Sequence, residues 1–421
     1  MRDQFGLIGR KLGHSDSVPI HRKFGLTNYA LFELEPEEIP AFLNRKDLRG
    51  LNVTIPYKRA VIPYLDEISP FARAVGCVNT VVFEPDGRKI GYNTDVAGFI
   101  YMLRRLGADA LGAKALVFGS GGGGAAAKQA LLTLGAGNVE IISRSGENNY
   151  QNLTRHEDAE LLVNATPVGM FPNTEGAVVD PSAFPRAKAV VDLIYNPCRT
   201  DFLLRAAEAG LACANGLSML VAQAKAAERL FLGETGVEEA DINDPQIGKV
   251  VREMARETTS LALVGMPGAG KSAIGRKLGE ITGREVLETD EMVERSAGKP
   301  AARIIREDGE RAFREWEARA VREASFHRGA VIVTGGGAVL REENRKNLRR
   351  AARVYRIQRD LSLLPREGRP LSEGANLSQM ASEREPFYAA AMDAQVFNQT
   401  AIETAADAIW RDFCAKMEEK A

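Results

Sequence analysis

Histidine is scarce in this 421-residue chain, with four in all, and the four cysteines, Cys77, Cys198, Cys213 and Cys414, stand apart with no C-x-x-C spacing. Neither a zinc site nor a disulfide framework is indicated, and a reducing compartment is expected. No run approaches the ~20 apolar residues of a membrane span. The start, MRDQFGLIG, carries no basic or apolar leader pattern, so a soluble cytoplasmic protein is expected. Charge of one sign is not in excess, with 55 Lys plus Arg against 56 Asp plus Glu. That balance points away from nucleic acid and membrane partners and towards small molecules. No internal repeat is visible, and oligomeric state is not legible.

What is present is alternation. Short apolar or β-branched runs, GLNVTI (50–55), CVNTVVF (77–83), ALVFG (115–119), VEIIS (139–143), LLVNAT (161–166) and AVVDLIY (189–195), are separated by helical patterns. A second series begins at LALVG (261–265) and continues with AVIVTGGG (330–337) and RVYRIQ (353–358). Strands alternating with helices predict an α/β protein built on mostly parallel sheets. The polar, charged stretch 233–260, helical in its middle, reads as a linker between two modules.

Each module carries a glycine turn between a strand and a helix. In the first, GSGGGG fits G-x-G-x-x-G at Gly119, Gly121 and Gly124, where glycine lets the backbone approach a pyrophosphate at a helix N-terminus. About 20 residues further on, where such folds read the ribose, stand Ser143 and Arg144. Arginine there favours NADP, while nearby Glu147 keeps NAD open.

Seven segments in order, HSDS (14–17), NVTIPYK (52–58), GCVNT (76–80), YNTD (92–95), NATPVGM (164–170), DLIYNP (192–197) and GLSMLVAQ (216–223), resemble shikimate dehydrogenase over residues 5 to about 232. The resemblance implies NADP-dependent reduction of 3-dehydroshikimate to shikimate. It also implies a substrate domain (1–98 with 206–232) around an NADP-binding Rossmann-like domain (99–205). Carried over, Ser15 and Ser17 hold the substrate carboxylate, Thr54, Asn79, Tyr195 and Gln223 contact the substrate, and Lys58 and Asp95 form the catalytic pair. Gly119, Gly121, Gly122 and Gly124, with Ser143, Arg144, Thr166 and Gly216, are the implied NADP contacts. A lysine ammonium suits this chemistry, because hydride delivered to a ketone leaves an alkoxide that must be protonated. The chain departs from the family pattern at Val18, Arg22 and Val96. Only about 20 residues separate Arg144 from NATPVGM, so part of the NADP-side sheet is expected to be missing.

The second turn, GMPGAGKS (265–272), matches G-x-x-x-x-G-K-[ST]. Backbone N–H groups of Gly265, Gly268, Ala269 and Gly270 are expected to face phosphate oxygens, Lys271 to reach the β and γ phosphates, and Ser272 to bind Mg²⁺. ATP and Mg²⁺ follow as ligands. With LETDEMVE (287–294), GERAFREWE (309–317), VTGGGAV (333–339), REGRPL (366–371) and REPFY (384–388), residues 261–421 resemble shikimate kinase, a P-loop domain with a central parallel sheet. The resemblance implies that Asp290 contacts the attacking hydroxyl, that Arg314 and Arg384 clamp the substrate carboxylate, and that Gly335, Gly336 and Gly337 let the backbone approach its ring. Glu288, standing where the family has aspartate, assists Mg²⁺, and Arg366 and Arg369 face the nucleotide.

Together the readings predict a bifunctional enzyme in which shikimate, made in one half, is phosphorylated at its 3-hydroxyl in the other. Two alternatives stay open: a quinate-type substrate for the dehydrogenase, and a kinase-like domain that senses nucleotide to regulate it.

Overall fold

The computed structural model describes residues 3–13, 15–234, 241–364, 377–399 and 401–419. The first module runs β1 (Gln4–Gly9), α1 (Ser17–Lys23), β2 (Tyr29–Glu33), α2 (Ile39–Phe42), β3 (Leu48–Val53), β4 (Glu67–Ile68), α3 (Pro70–Val75), β5 (Thr80–Phe83), β6 (Lys89–Tyr92) and α4 (Asp95–Leu106). Its six-stranded sheet has the order β2-β1-β3-β5-β6-β4, with β5 antiparallel to both its neighbours. Helix α3 shows how local sequence sets these boundaries: Ser69 accepts from the N–H of Ala72, Pro70 needs no donor in the first turn, and the chain leaves the helix at Gly76.

The second module comprises β7 (Lys114–Phe118), α5 (Gly122–Thr133), β8 (Asn138–Ile142), β9 (Leu161–Asn164), β10 (Ala189–Asp192), α6 (Asp201–Glu208) and β11 (Ala212–Ala214), after which α7 (Leu217–Phe231) packs back against α1, β3 and β5 of the first. Its parallel sheet is ordered β11-β10-β9-β7-β8. β8 is an edge strand, and the connection to β9 holds only a 3-10 turn, Leu153–His156. The expected return to the first module at residue 206 moves to after β11, because β11 pairs with β10 and so belongs to the second sheet. The expected boundary at 98/99 falls inside α4, which packs against α5 of the second module and against α7.

The third module contains α8 (Pro245–Thr258), β12 (Ser260–Val264), α9 (Lys271–Thr282), β13 (Val286–Glu288), α10 (Thr289–Ala297), α11 (Ala301–Asp308), α12 (Glu310–Ala324), β14 (Val331–Val333), α13 (Glu342–Ala351), β15 (Ala352–Gln358), α14 (Leu377–Ala391), β16 (Ala394–Phe397) and α15 (Ile402–Glu419). Its parallel sheet runs β13-β14-β12-β15-β16. The stretch expected as a linker therefore contains a capped helix, α8, opened by Asp244 and Pro245. One face of α8 buries Ile247, Val250, Val251 and Met254. It packs against α1, α7 and α15. Burial of such side chains contributes about 1.5–3 kcal/mol each, enough to fix the junction.

Polar contacts reinforce that junction. Arg350 donates twice to Asp201 at 2.7 Å, both side chains being nearly buried. Burial raises the Asp201 carboxyl, but the bonds and charge of Arg350 outweigh it and hold the group below its ordinary value. Arg199 pairs with Asp393 at 2.6 Å. Among the described residues, no helix is long and apolar enough to cross a membrane.

Candidate active sites

The first site forms where the N-terminal sheet meets the glycine turn of the second. Lys58, in the segment after β3, places Nζ 2.6 Å from Asp95 Oδ2 at the start of α4. Asn79 donates to the other oxygen, Oδ1, at 2.9 Å and to Thr94 Oγ1 at 3.0 Å. Thr94 Oγ1 lies 3.3 Å from Gln223 on α7, so Lys58, Asp95, Asn79 and Gln223 converge on one network. Thr94 and Asn93, whose side-chain oxygen accepts from the Asp95 N–H, were not singled out from sequence, although both lie in YNTD. Ser15 and Ser17 stand together, with their hydroxyl oxygens 3.1 Å apart. Thr54 is half-buried at the end of β3, and its N–H donates to Ile8.

The glycine turn follows β7, where the sheet order reverses between β8 and β9. Ligands of open α/β sheets bind at such a switch point. Gly119 has φ +117°, in the region that favours glycine. A methyl at Gly124 would lie 1.9 Å from the Gly119 carbonyl oxygen, so the turn closes only without one. A methyl at Gly122 would lie 3.6 Å from Lys58 Cδ, which brings the turn to the edge of the lysine–carboxylate pair. Thr166 donates to Asn164 at 2.7 Å, and Gly216 passes close to the Leu193 carbonyl. Beyond β8, Ser143 is half-buried and Arg144 exposed. Tyr195 is half-buried; burial pushes its phenol up to about 12, with Asp16 adding to the rise and Arg328 opposing it.

The second site lies at the carboxyl end of the third sheet. Lys271 Nζ donates to the Gly265 and Met266 carbonyls at 2.9 and 3.1 Å, folded against its own loop. Asn398 donates to Ala269 at 2.8 Å and braces the loop from the opposite side. Glycines 335–337 follow β14 and let three groups approach at once. Methyls there would lie 2.6 Å from Asp290 Oδ1, 2.6 Å from Pro267 Cδ and 2.3 Å from Arg314 Nη1, respectively. Arg384, on α14, donates to the Gly336 carbonyl at 3.1 Å, and Tyr388 to the same oxygen at 2.7 Å. The Asp290 side chain remains open to solvent on one side. Desolvation by the surrounding protein nevertheless raises its carboxyl above the ordinary range, against the pull of Lys271.

Glu317 is the residue that sequence reasoning missed here. It is 1% exposed and accepts from Arg314 at 2.8 Å. Burial raises its carboxyl, and the neighbouring Asp290 adds to the rise. The signal was available, because Arg314 and Glu317 are three apart on α12 and so share a face. Glu288, half-buried, lies 3.3 Å from Arg276. Ser272 is half-buried on the first turn of α9. Arg366 and Arg369 lie outside the described residues.

The shikimate dehydrogenase substrate-binding domain matches residues 7–81. A shikimate dehydrogenase (NADP(+)) of Clostridium perfringens is 38% identical over 250 residues, spanning 54% of this chain and 92% of the relative. The chain belongs to the shikimate dehydrogenase family. Shikimate dehydrogenase 1 from Peptoclostridium difficile superposes with a TM-score of 0.54 at 32% identity, covering 60% of this chain and 97% of that one. A quinate dehydrogenase from Corynebacterium glutamicum, solved in complex with NAD, gives 0.51 at 30%, covering 58% and 96%. Shikimate kinase matches residues 267–414, so the dehydrogenase is fused to a shikimate kinase domain and the chain is an enzyme of the shikimate pathway.

Proposed function

We propose that this chain reduces 3-dehydroshikimate to shikimate with NADPH in its N-terminal half and phosphorylates shikimate at the 3-hydroxyl with ATP in its C-terminal half. Residues 1–98 with 215–232 form the substrate domain, 99–214 the NADP domain and 261–421 the kinase. The observation that carries the reading is the Lys58–Asp95 pair at 2.6 Å beside the dinucleotide turn.

NADPH, when bound, supplies the hydride. Lys58 then donates a proton to the oxygen of the former ketone, and Asp95, held by Asn79, orients the ammonium for that transfer. Ser15 and Ser17 take the substrate carboxylate, while Thr54, Asn79, Tyr195 and Gln223 bond its remaining groups. Gly119, Gly121, Gly122, Gly124, Thr166 and Gly216 shape the dinucleotide cradle. Ser143 and Arg144 follow the edge strand where a 2′-phosphate is read, which favours NADP over NAD.

In the kinase half, ATP supplies the γ-phosphoryl group. Gly265, Gly268, Ala269 and Gly270 offer backbone donors, and Lys271 exchanges its loop carbonyls for phosphate oxygens. Asp290 takes or orients the hydroxyl proton of shikimate. Arg314, braced by Glu317, grips the carboxylate together with Arg384. Ser272 and Glu288 are hard oxygen donors that suit Mg²⁺, which needs only one or two protein groups beside the phosphates and water. When bound, Mg²⁺ neutralises phosphate charge.

The test is a coupled assay from 3-dehydroshikimate, NADPH and Mg-ATP, reading shikimate 3-phosphate. We expect Lys58→Ala to lower reduction by at least about a hundredfold, as general acid loss does, with shikimate-dependent ADP release retained. Lys271→Ala reverses the pattern. Concurrent loss of both activities in either folded variant refutes the division of labour. A quinate substrate is favoured by the Corynebacterium likeness; rates with quinate and shikimate under NAD and NADP decide it.

A further inference from the structure

We infer that Arg328, in the kinase half, is a positioning residue for the dehydrogenase, holding the Ser15–Ser17 loop in the form that receives the substrate carboxylate. The inference rests on the reading of that loop as the carboxylate site.

Arg328 lies in the short turn between α12 and β14. It donates to both carboxylate oxygens of Asp16, Nη1 to Oδ1 at 3.0 Å and Nη2 to Oδ2 at 2.8 Å. Asp16 sits between the two serines and immediately before α1. Aspartate at that place normally caps the helix, yet its side chain makes no capping bond. The guanidinium has taken both oxygens instead. The pair is well shielded, with side-chain exposures of 12% for Asp16 and 28% for Arg328.

The turn that carries Arg328 is itself anchored. Gly329 donates to the Thr258 carbonyl at 3.1 Å, and a methyl on it would lie 2.2 Å from the Glu257 carbonyl oxygen, so the turn is pressed against the end of α8. Two residues before Arg328, Phe326 meets Phe171 edge-on at 5.1 Å. Phe171 directly follows NATPVGM, on the dinucleotide side of the dehydrogenase. One turn of the kinase thus touches the loop bearing the two serines and the opposite wall formed by the second sheet. Lys23 on α1 adds a second tether to α8, at 3.0 Å from Glu253 and 2.7 Å from Glu257.

Two effects follow from the same pair. The bidentate grip fixes the peptide between Ser15 and Ser17, and with it the direction of both hydroxyls. It also neutralises a carboxylate lying where another carboxylate is to bind. At an effective dielectric of about 30 and a separation of about 8 Å, unmasking that charge weakens binding by about tenfold.

The experiment uses the full chain. Arg328→Met is expected to raise the dehydrogenase KM for shikimate by about tenfold and to change kcat by less than about twofold. The same variant keeps its kinase KM for shikimate, which reports that the third module is intact. Arg328→Lys restores part of the loss, and Asp16→Asn, which removes the charge, costs less than Arg328→Met. An unchanged KM in Arg328→Met, in a chain where Ser17→Ala does raise it, overturns the inference and spares the reading of the site. An unchanged KM in both variants overturns the reading and the inference together. A fall in kcat with no change in KM, unrelieved by lysine, assigns Arg328 to general stability and also overturns the inference.

Discussion

Replacing Gly337 with alanine tests the substrate grip of the kinase half. The backbone at Gly337 has φ −101° and ψ −2°, which alanine adopts without strain. The added methyl would lie 2.3 Å from Arg314 Nη1 and 2.5 Å from Nη2, about 1.1 Å short of the 3.4 Å at which ordinary contact begins. The obstacle is the tip of a flexible side chain, so the guanidinium swings away and the backbone stays. Alanine restricts the unfolded chain and returns about 0.4–1 kcal/mol, but the swing also loosens the bond from Arg314 to buried Glu317, so folding is followed alongside by urea unfolding. A hydrogen bond to a charged group is worth about 1.5–3 kcal/mol, and losing one raises the KM for shikimate in the kinase reaction by about 10- to 100-fold. The assay is ADP release against shikimate concentration in the full chain, with NADP reduction by shikimate as internal control. An unchanged kinase KM would refute the assignment of Arg314 to the carboxylate. A KM increase of similar size in both reactions would refute the separation of the two sites.

A second glycine tests the other half, since Gly124→Ala sets a methyl against the Gly119 carbonyl at 1.9 Å and forces the dinucleotide turn open. We expect NADPH affinity, followed by nucleotide fluorescence, to fall by about tenfold or more, with ATP turnover unchanged. Asp192 gives a pH signature. It is fully buried, accepts from Asn164, Thr200 and Ile194, and is raised by that burial to about 6. An acid raised in the folded state favours folding below its unfolded pKa of 3.8, and that advantage is lost as pH rises through about 6. Urea unfolding at pH 4 and pH 7.5 is expected to show Asp192→Asn gaining on the parent by up to about 3 kcal/mol across that interval; a constant difference would count against the buried, raised acid.

The glycine turns and central strands were legible because their signals are local. The runs 115–119, 139–143 and 261–265 each fall within one residue of an observed strand. Short strands with polar or mixed composition, such as β4 (Glu67–Ile68) and β11 (Ala212–Ala214), gave no periodic signal and are defined by their neighbours. The spacing between Arg144 and NATPVGM, set against the family's usual length, pointed to a shortened NADP side, and the connection from β8 to β9 holds only a 3-10 turn. The role of α8 was not legible, because its polar composition hid a four-residue apolar face that matters only once α1, α7 and α15 surround it. Lys58 and Asp95 were readable only through family resemblance, being 37 residues apart and joined by the fold. Arg328 and Asp16, separated by 312 positions, carried no sequence signal of their pairing.

Helix α8 bears on any attempt to divide this enzyme. Severing the chain between residues 234 and 241 leaves α8 with the C-terminal fragment, and the dehydrogenase fragment then carries a wetted strip along α1 and α7 where α8 had docked. Severing after Thr258 instead strips α15 of its cover. Neither fragment is finished alone, and mixing the two offers each the surface it lost.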